Sequence, residues 1–138
     1  MKKFAKVMAV ALVAVLALAA LVACGPASDP EKAAKALKDN GYTVMSVIPD
    51  DSVTGKLAQA TLDGIAVAAG LEAGDITATV SATKGSESIS ITYFKSASAA
   101  KKFWDENKDN VQEKEGWVTK QSGSMIYTGT EQAVKDAR

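Results

Sequence analysis

Residues 76–94, ITATVSATKGSESISITYF, decide the fold. On either side of Lys84-Gly85, apolar or small side chains alternate with hydroxyl side chains. Strict period-two alternation on both sides of a glycine turn predicts an antiparallel β-hairpin. One face of such a hairpin packs on the core and the other faces solvent.

The solvent side of this hairpin is unusual because it carries no charge. It consists of Thr77, Thr79, Ser81, Ser88, Ser90 and Thr92. Exposed sheet surfaces ordinarily carry Lys or Glu, which also prevent association. We interpret these residues as a candidate interaction face for a protein partner, for a second copy in a homodimer, or for the first or last helix. A plain solvent face is the alternative, since threonine favours strands.

The flanking sequence adds helices and strands to the hairpin. Asp29-Pro30 predicts the start of a helix that ends at Asn40-Gly41. The remaining patterns predict a strand at 42–48, helices at 57–69 and 96–110, a second hairpin at 116–121 and 124–128, and a last helix after Thr130.

The resulting order is α–β–α–β–β–α–β–β–α, and its middle resembles the split βαβ pattern of ferredoxin-like folds. We therefore predict an α+β fold in which helices pack on an antiparallel sheet. It would have a ferredoxin-like βαββαβ core plus an extra strand and terminal helices. Both inner helices would cover one face of the sheet.

The first 24 residues have the pattern of a secretory signal peptide. Lys2, Lys3 and Lys6 precede an 18-residue run without polar side chains, and the run ends in small residues. Its last four residues, Leu21-Val22-Ala23-Cys24, resemble the lipobox of bacterial membrane lipoproteins. The resemblance implies cleavage between Ala23 and Cys24 and a diacylglyceryl thioether on Cys24. The alternative is an uncleaved membrane anchor, because the run reaches the lower length limit of a transmembrane helix.

This resemblance also implies a domain organisation and a location. Residues 1–23 would be the cleaved signal peptide, 24–29 the lipidated N-terminus with a short linker, and 30–138 a single α+β domain. The lysines face the cytoplasm, so the domain would lie on the extracytoplasmic face of the cell membrane. Two acyl chains hold a protein there stably.

The composition excludes several function classes. The chain has no histidine, which excludes Ser-His-Asp and Cys-His mechanisms. Its single cysteine allows neither an internal disulfide nor a cysteine-based zinc site. Removing the three signal-peptide lysines leaves thirteen basic against sixteen acidic residues, which argues against nucleic acid as a partner. We predict no catalytic residue, no metal and no cofactor, and a non-enzymatic binding module at the cell envelope.

Two other functions remain open at this point. Asp105, Glu106 and Asp109 have the residue types of a carboxylate-dependent envelope hydrolase, although an exposed helix face balanced by neighbouring lysines is the preferred explanation of them. An accessory ligand-binding lipoprotein is the other. A further acidic set could converge on Ca²⁺, or could simply point into water: Asp50, Asp51, Asp63, Glu72 and Asp75. Trp117 and Tyr127 are predicted to pair across neighbouring strands.

Overall fold

The computed structural model describes residues 25–110 and 114–138. The predicted signal peptide and Cys24 therefore lie outside the described residues. The elements are α1 (Pro30–Asp39), β1 (Thr43–Val47), α2 (Val53–Ala68), β2 (Ile76–Lys84), β3 (Glu87–Phe94), α3 (Ala97–Asn107), a 3₁₀ turn (Lys108–Asn110), β4 (Trp117–Ser122), β5 (Met125–Thr130) and α4 (Glu131–Asp136). The predicted α+β class with an antiparallel sheet is confirmed.

Side-chain caps set the starts of the first three helices. Asp29 caps α1, as predicted. Ser52 caps α2 by accepting a hydrogen bond from the Gly55 amide at 3.0 Å, and Ser96 caps α3 by accepting from the Ala99 amide at 3.1 Å. Each cap satisfies an amide that has no partner within its helix. Because of the Ser52 cap, α2 begins at 53 rather than at the predicted 57.

The five strands lie in the order β1-β2-β3-β5-β4, and every neighbouring pair is antiparallel. In its first half this order differs from the predicted ferredoxin-like core. There, a helix would carry the chain to the opposite end of the sheet and the next strand would run parallel to the first. Here, α2 and residues 69–75 bring the chain back to the end where β1 stops, so β2 pairs directly with β1.

The second half keeps the predicted connection. Since β3 and β4 are each antiparallel to β5, which lies between them, they run in the same direction. The unit β3-α3-β4 is therefore a split βαβ arrangement.

The two faces of the sheet differ in composition. One face, here called the main-core face, is covered by α1 and α4, and its central residues Val80, Ile89 and Ile91 are fully buried. The inner helices α2 and α3 share the opposite face, as predicted, over a smaller cluster that includes Leu62 and Phe94. None of the helices within the described ranges is both long and apolar enough to span a bilayer.

The residues predicted to form a linker are packed against the domain. The Ala27 amide donates to the Ala137 carbonyl at 2.8 Å, and the Tyr93 hydroxyl donates to the Ala27 carbonyl at 2.8 Å. Gly25 lies so close to Tyr127 that an added Cβ would come within 3.2 Å of the phenol oxygen. Tyr93 and Tyr127 both belong to the main core, so the described chain starts on the main-core side without a free tether.

Candidate interaction face

Five of the six residues of the predicted interaction face lie together on one side of the β2–β3 hairpin. Cross-strand pairing places Thr79 opposite Thr92 and Ser81 opposite Ser90, with Ser88 opposite a further hydroxyl side chain at position 83. The sixth residue, Thr77, does not join them. The register of β2 against β3 shifts between 76 and 78, and such a bulge takes the residue within it out of the regular alternation.

The neighbouring strands extend this surface across the whole sheet. The pairing registers add Thr43, Met45 and Val47 from β1, Ile126, Thr128 and Thr130 from β5, and Trp117, Thr119 and Gln121 from β4. We call these nine residues, together with Thr79, Ser81, Thr83, Ser88, Ser90 and Thr92, the hydroxyl face. None of these side chains is charged. The absence of charge seen in one hairpin is therefore a property of the full five-stranded surface.

Helices cover only one end of the hydroxyl face. Val47 and Ile126 pack beneath α2 and α3, at the end away from the β2–β3 turn. At the other end Ser81, Thr83 and Ser90 are exposed. The expectation that the first or last helix could cover this face is wrong, because α1 and α4 pack on the main-core face.

Most side-chain hydroxyl groups of this face make no hydrogen bond within the described part of the chain. Thr119 and Thr128 share a hydrogen bond of 2.7 Å between their Oγ1 atoms. The side-chain hydroxyls of Thr79, Ser81, Thr83, Ser90 and Thr92 make no hydrogen bond to any other described residue. Each can both donate and accept, so the face offers a neutral array of hydrogen-bonding groups to a binding partner.

The predicted pair of Trp117 and Tyr127 is wrong. Trp117 lies opposite Thr130 on the hydroxyl face, whereas Tyr127 lies opposite Lys120 and points into the main core. Successive side chains of a strand alternate between the two faces of the sheet. Two residues on adjacent strands therefore contact each other only when both point to the same face, and these two do not. Instead, Lys114 Nζ lies 4.6 Å from the centre of the Trp117 ring.

The acidic side chains considered as Ca²⁺ ligands make separate structural hydrogen bonds. Asp63 Oδ1 accepts from the Gly74 amide at 2.7 Å. Asp75 accepts from the Glu72 amide at 2.9 Å and pairs with Lys95 at 2.9 Å. Those two interactions lower the pKa of Asp75. Among residues 25–110 and 114–138, no three acidic or other ligating side chains are grouped as a metal site would require.

The carboxylates of Asp50 and Asp105 likewise interact with residues close by in the sequence. Asp50 accepts hydrogen bonds from the hydroxyl and the amide of Ser52, and both lower the pKa of Asp50. Asp105 pairs with Lys101 at 2.6 Å on the exposed surface of α3, and this contact lowers the pKa of Asp105. These contacts are what the solvated-helix interpretation of α3 predicts.

A cleft at the turn end of the sheet was not predicted from the sequence. It has a volume of about 390 Å³, and its lining includes Glu87, Glu115, Trp117 and Glu131. One carboxylate oxygen of Glu87, Oε2, is buried without a hydrogen-bond partner among the described residues. The three glutamates are far apart in sequence, so no spacing pattern could have connected them.

A second cavity, of about 650 Å³, lies beside the start of the described chain. It is lined by residues 25–28 and 122–125 together with Arg138. The β4–β5 turn and the C-terminus therefore surround the point at which the chain enters the domain.

Comparison of this chain with protein-family models, with curated proteins and with solved structures finds no match.

Proposed function

We propose that this protein is a non-enzymatic lipoprotein of the extracytoplasmic membrane face that binds another envelope protein through its hydroxyl face. The observation that carries the proposal is the uncharged surface of five strands, whose hydroxyls at 79, 81, 83, 90 and 92 have no partner among the described residues. Charged side chains on exposed strands ordinarily prevent association with other chains, and this surface lacks them. A binding surface explains that composition.

The position of Gly25 determines how the proposed anchor would orient the domain. An acyl group on Cys24 would begin one residue from Gly25, and Gly25 is held against Tyr127 on the main-core side. The hydroxyl face lies on the other side of the sheet. Anchored in this way, the domain would present the hydroxyl face away from the bilayer, where another protein can reach it.

The chemistry of the face favours a protein as the partner. Binding there would desolvate no ionised side chain of the face, and so would avoid the large cost of burying charge. The hydroxyl of a threonine or serine can donate a hydrogen bond to, and accept one from, backbone or side-chain groups of a protein partner. Methyl groups of threonine, together with Met45 and Trp117, add the apolar contact found at the centre of protein interfaces.

The anchor is tested by replacing the sulfur that would carry it. In Cys24→Ser the thioether cannot form, so we expect the protein to leave the membrane fraction, whereas the unaltered chain stays there. Mass spectrometry of the membrane form should show a diacylated Cys24 as the first residue. An intact N-terminus with an unmodified thiol would instead support the uncleaved anchor.

The binding face is tested by site-specific photocrosslinking in intact cells. A photoreactive side chain at Ser90 should give one adduct of defined mass, and the same group at Ser98, an exposed position on α3, should not. Ser81→Lys should abolish the Ser90 adduct, because it places an unpaired charge in the interface. Equal crosslinking from both positions, or none from Ser90, would contradict the proposal.

The cleft with Glu87 favours one alternative, a carboxylate-dependent hydrolase acting on envelope glycans. A carboxylate oxygen of Glu87, buried without a partner among the described residues, lies in a cleft with two further glutamates and Trp117. Glycoside hydrolysis uses a pair of carboxyl groups in such a cleft. Release of reducing ends from purified cell-wall glycan, lost in Glu87→Gln and kept in Asp105→Asn, would favour this alternative. Equal and background-level release by all three proteins would count against it.

A further inference from the structure

The cleft at the turn end of the sheet holds a carboxylate that the described residues leave without a partner. Glu87, the first residue of β3, has its Oε2 atom buried with no hydrogen bond to any described residue. None of the ion pairs within residues 25–110 and 114–138 includes Glu87. Removing a carboxylate oxygen from water is unfavourable unless a donor or a cation replaces the water. The cleft is therefore suited to a ligand that brings such a group.

Two hydroxyl groups near Glu87 already have other partners. Tyr42 is close enough for the charge of Glu87 to contribute to its raised pKa, but the Tyr42 hydroxyl donates to Asp136 at 2.8 Å. Thr130, which lines the cleft, accepts at its Oγ1 from the Ser88 amide at 3.3 Å. The hydrogen-bonding capacity of Glu87 thus stays open toward the cleft.

The lining of the cleft carries an excess of negative charge. It includes three glutamates, Glu87, Glu115 and Glu131, and one lysine, Lys135. Lys135 is exposed and forms an ion pair with none of these glutamates. A cleft lined mainly by one sign of charge attracts the opposite sign. Because no three ligating side chains of the described ranges are grouped as a metal site requires, an organic cation fits the cleft better than a metal ion.

The residues beside the cleft favour an ammonium group over a guanidinium. Lys114 Nζ lies 4.6 Å from the centre of the Trp117 ring, within the range of a cation–π contact, so this indole already holds one ammonium group. A guanidinium binds best to two parallel acceptors, whereas Glu87 offers a single buried oxygen. An ammonium group is a compact charge that needs no second acceptor in the same plane.

Hydrogen bonds between neighbouring elements hold the walls of the cleft. The Glu131 amide at the start of α4 donates to the Gly116 carbonyl at 3.3 Å, and the pairing of β4 with β5 places Trp117 opposite Thr130. The cleft is therefore formed without a ligand, as most ligand sites are. Its volume of about 390 Å³ lies near the lower end of the range for ligand pockets, which suits a single side chain.

We propose that this cleft binds an alkylammonium group, with Oε2 of Glu87 as its hydrogen-bond acceptor and counter-charge. Trp117 and Thr130 belong both to the cleft and to the hydroxyl face, so a protein bound to that face can place a lysine side chain in the cleft. The assignment of the ammonium group to this partner rests on the proposed function, whereas the site itself does not. A charged group in the cleft adds specificity that the neutral face lacks.

The test uses the full-length protein in detergent, with 5-fluorotryptophan at its two tryptophans. The fluorine resonance of Trp117 reports on the cleft, and that of Trp104, which does not line it, is the internal control. The probes are n-butylammonium chloride and the neutral 1-butanol at equal ionic strength. Butylammonium should shift the Trp117 resonance with saturation in the millimolar range, and butanol should not. Trp104 should shift with neither.

Three variants assign the binding to the proposed groups. Glu87→Gln should weaken butylammonium binding about tenfold, because it keeps the shape of the side chain and removes its charge. Lys135→Gln should strengthen binding, because it removes a like charge from the cleft; an anionic ligand site would show the opposite change. Asp105→Asn, the same kind of change on α3 outside the cleft, is the matched control and should bind as the unaltered protein does.

Urea unfolding excludes a folding defect as the cause of lost binding. Glu87→Gln should be at least as stable as the unaltered protein, because it replaces a buried carboxylate without a partner by a neutral group. Its Trp104 resonance should also keep its position.

Photocrosslinking in cells identifies the source of the ammonium group. If a lysine of the partner protein supplies it, Glu87→Gln should weaken the adduct formed from Ser90. An unchanged adduct would overturn this assignment in favour of a free small amine. Absence of any adduct from Ser90 would contradict the proposed function, while the titration with butylammonium still tests the cleft, so the two failures are distinguishable.

Two results would overturn the site itself. The first is a Trp117 resonance that responds equally to butylammonium and butanol, or to neither. The second is butylammonium binding that Glu87→Gln leaves intact.

Discussion

Tyr93→Phe should loosen the residues that connect the domain to its proposed anchor. The Tyr93 hydroxyl donates to the Ala27 carbonyl at 2.8 Å, and the phenyl ring of the variant still fills the main core. A hydrogen bond of this kind contributes about 1 kcal/mol net. A loss of about 1 kcal/mol raises the population of an opened state about fivefold.

Amide hydrogen exchange at Ala27 measures this opening directly, because the Ala27 amide donates to the Ala137 carbonyl only while the segment is packed. In the unaltered protein this amide should be protected, and in Tyr93→Phe it should exchange about fivefold faster. Amides in the centre of β3 should change less, since they open only with the sheet.

Tyr127→Phe is the matched control. It makes the same chemical change on the main-core face, but the Tyr127 hydroxyl makes no hydrogen bond to other described residues. We expect little change at Ala27 in that variant. If the Ala27 amide exchanged as fast as in a free peptide before any substitution, residues 25–28 would be a tether after all, and the inferred orientation of the domain would lose its basis.

Further predictions concern stability and its dependence on pH. Gly129→Ala should destabilise by about 1–3 kcal/mol, because the new Cβ would lie 2.7 Å from the Ser88 carbonyl oxygen. Gly64→Ala, in open space on a helix, should stabilise by about 0.5–1 kcal/mol; urea unfolding of dilute protein measures both, and equal effects would contradict the packing described. The Glu72 amide and Lys95 lower the pKa of Asp75, so the stability they add is present above the ordinary pKa of about 3.9 and is lost as the pH falls through the lowered value. Asp75→Asn should therefore flatten the fall of stability in acid, and an unchanged acid profile would refute this. Burial and the hydrogen bond to Asp136 raise the pKa of Tyr42 to about 12, so stability is complete below pH about 10 and declines as the pH rises toward 12. Tyrosinate absorbance that appears at ordinary pH without unfolding would contradict this.

The topology predicted from the sequence was correct for the β3-α3-β4 connection and wrong for the pairing of β1 with β2. Alternation in residues 76–94 and the cap at Asp29 were visible because each depends on residues within a few positions. The pairing of β1 with β2 was not, because it depends on where residues 69–75 return the chain. A helix between two strands is compatible with either connection.

The sequence by itself determined the hairpin, the α+β class and the absence of charge on the hydroxyl face, because side-chain periodicity and composition are local properties. Only the tertiary structure decided that β1 and β4 are the edges, that residues 25–28 are packed, and that Glu87, Glu115 and Glu131 line one cleft. Contacts between distant segments arise when many weak interactions together offset the entropy of closing the loops between them. A short stretch of sequence therefore does not determine these long-range contacts.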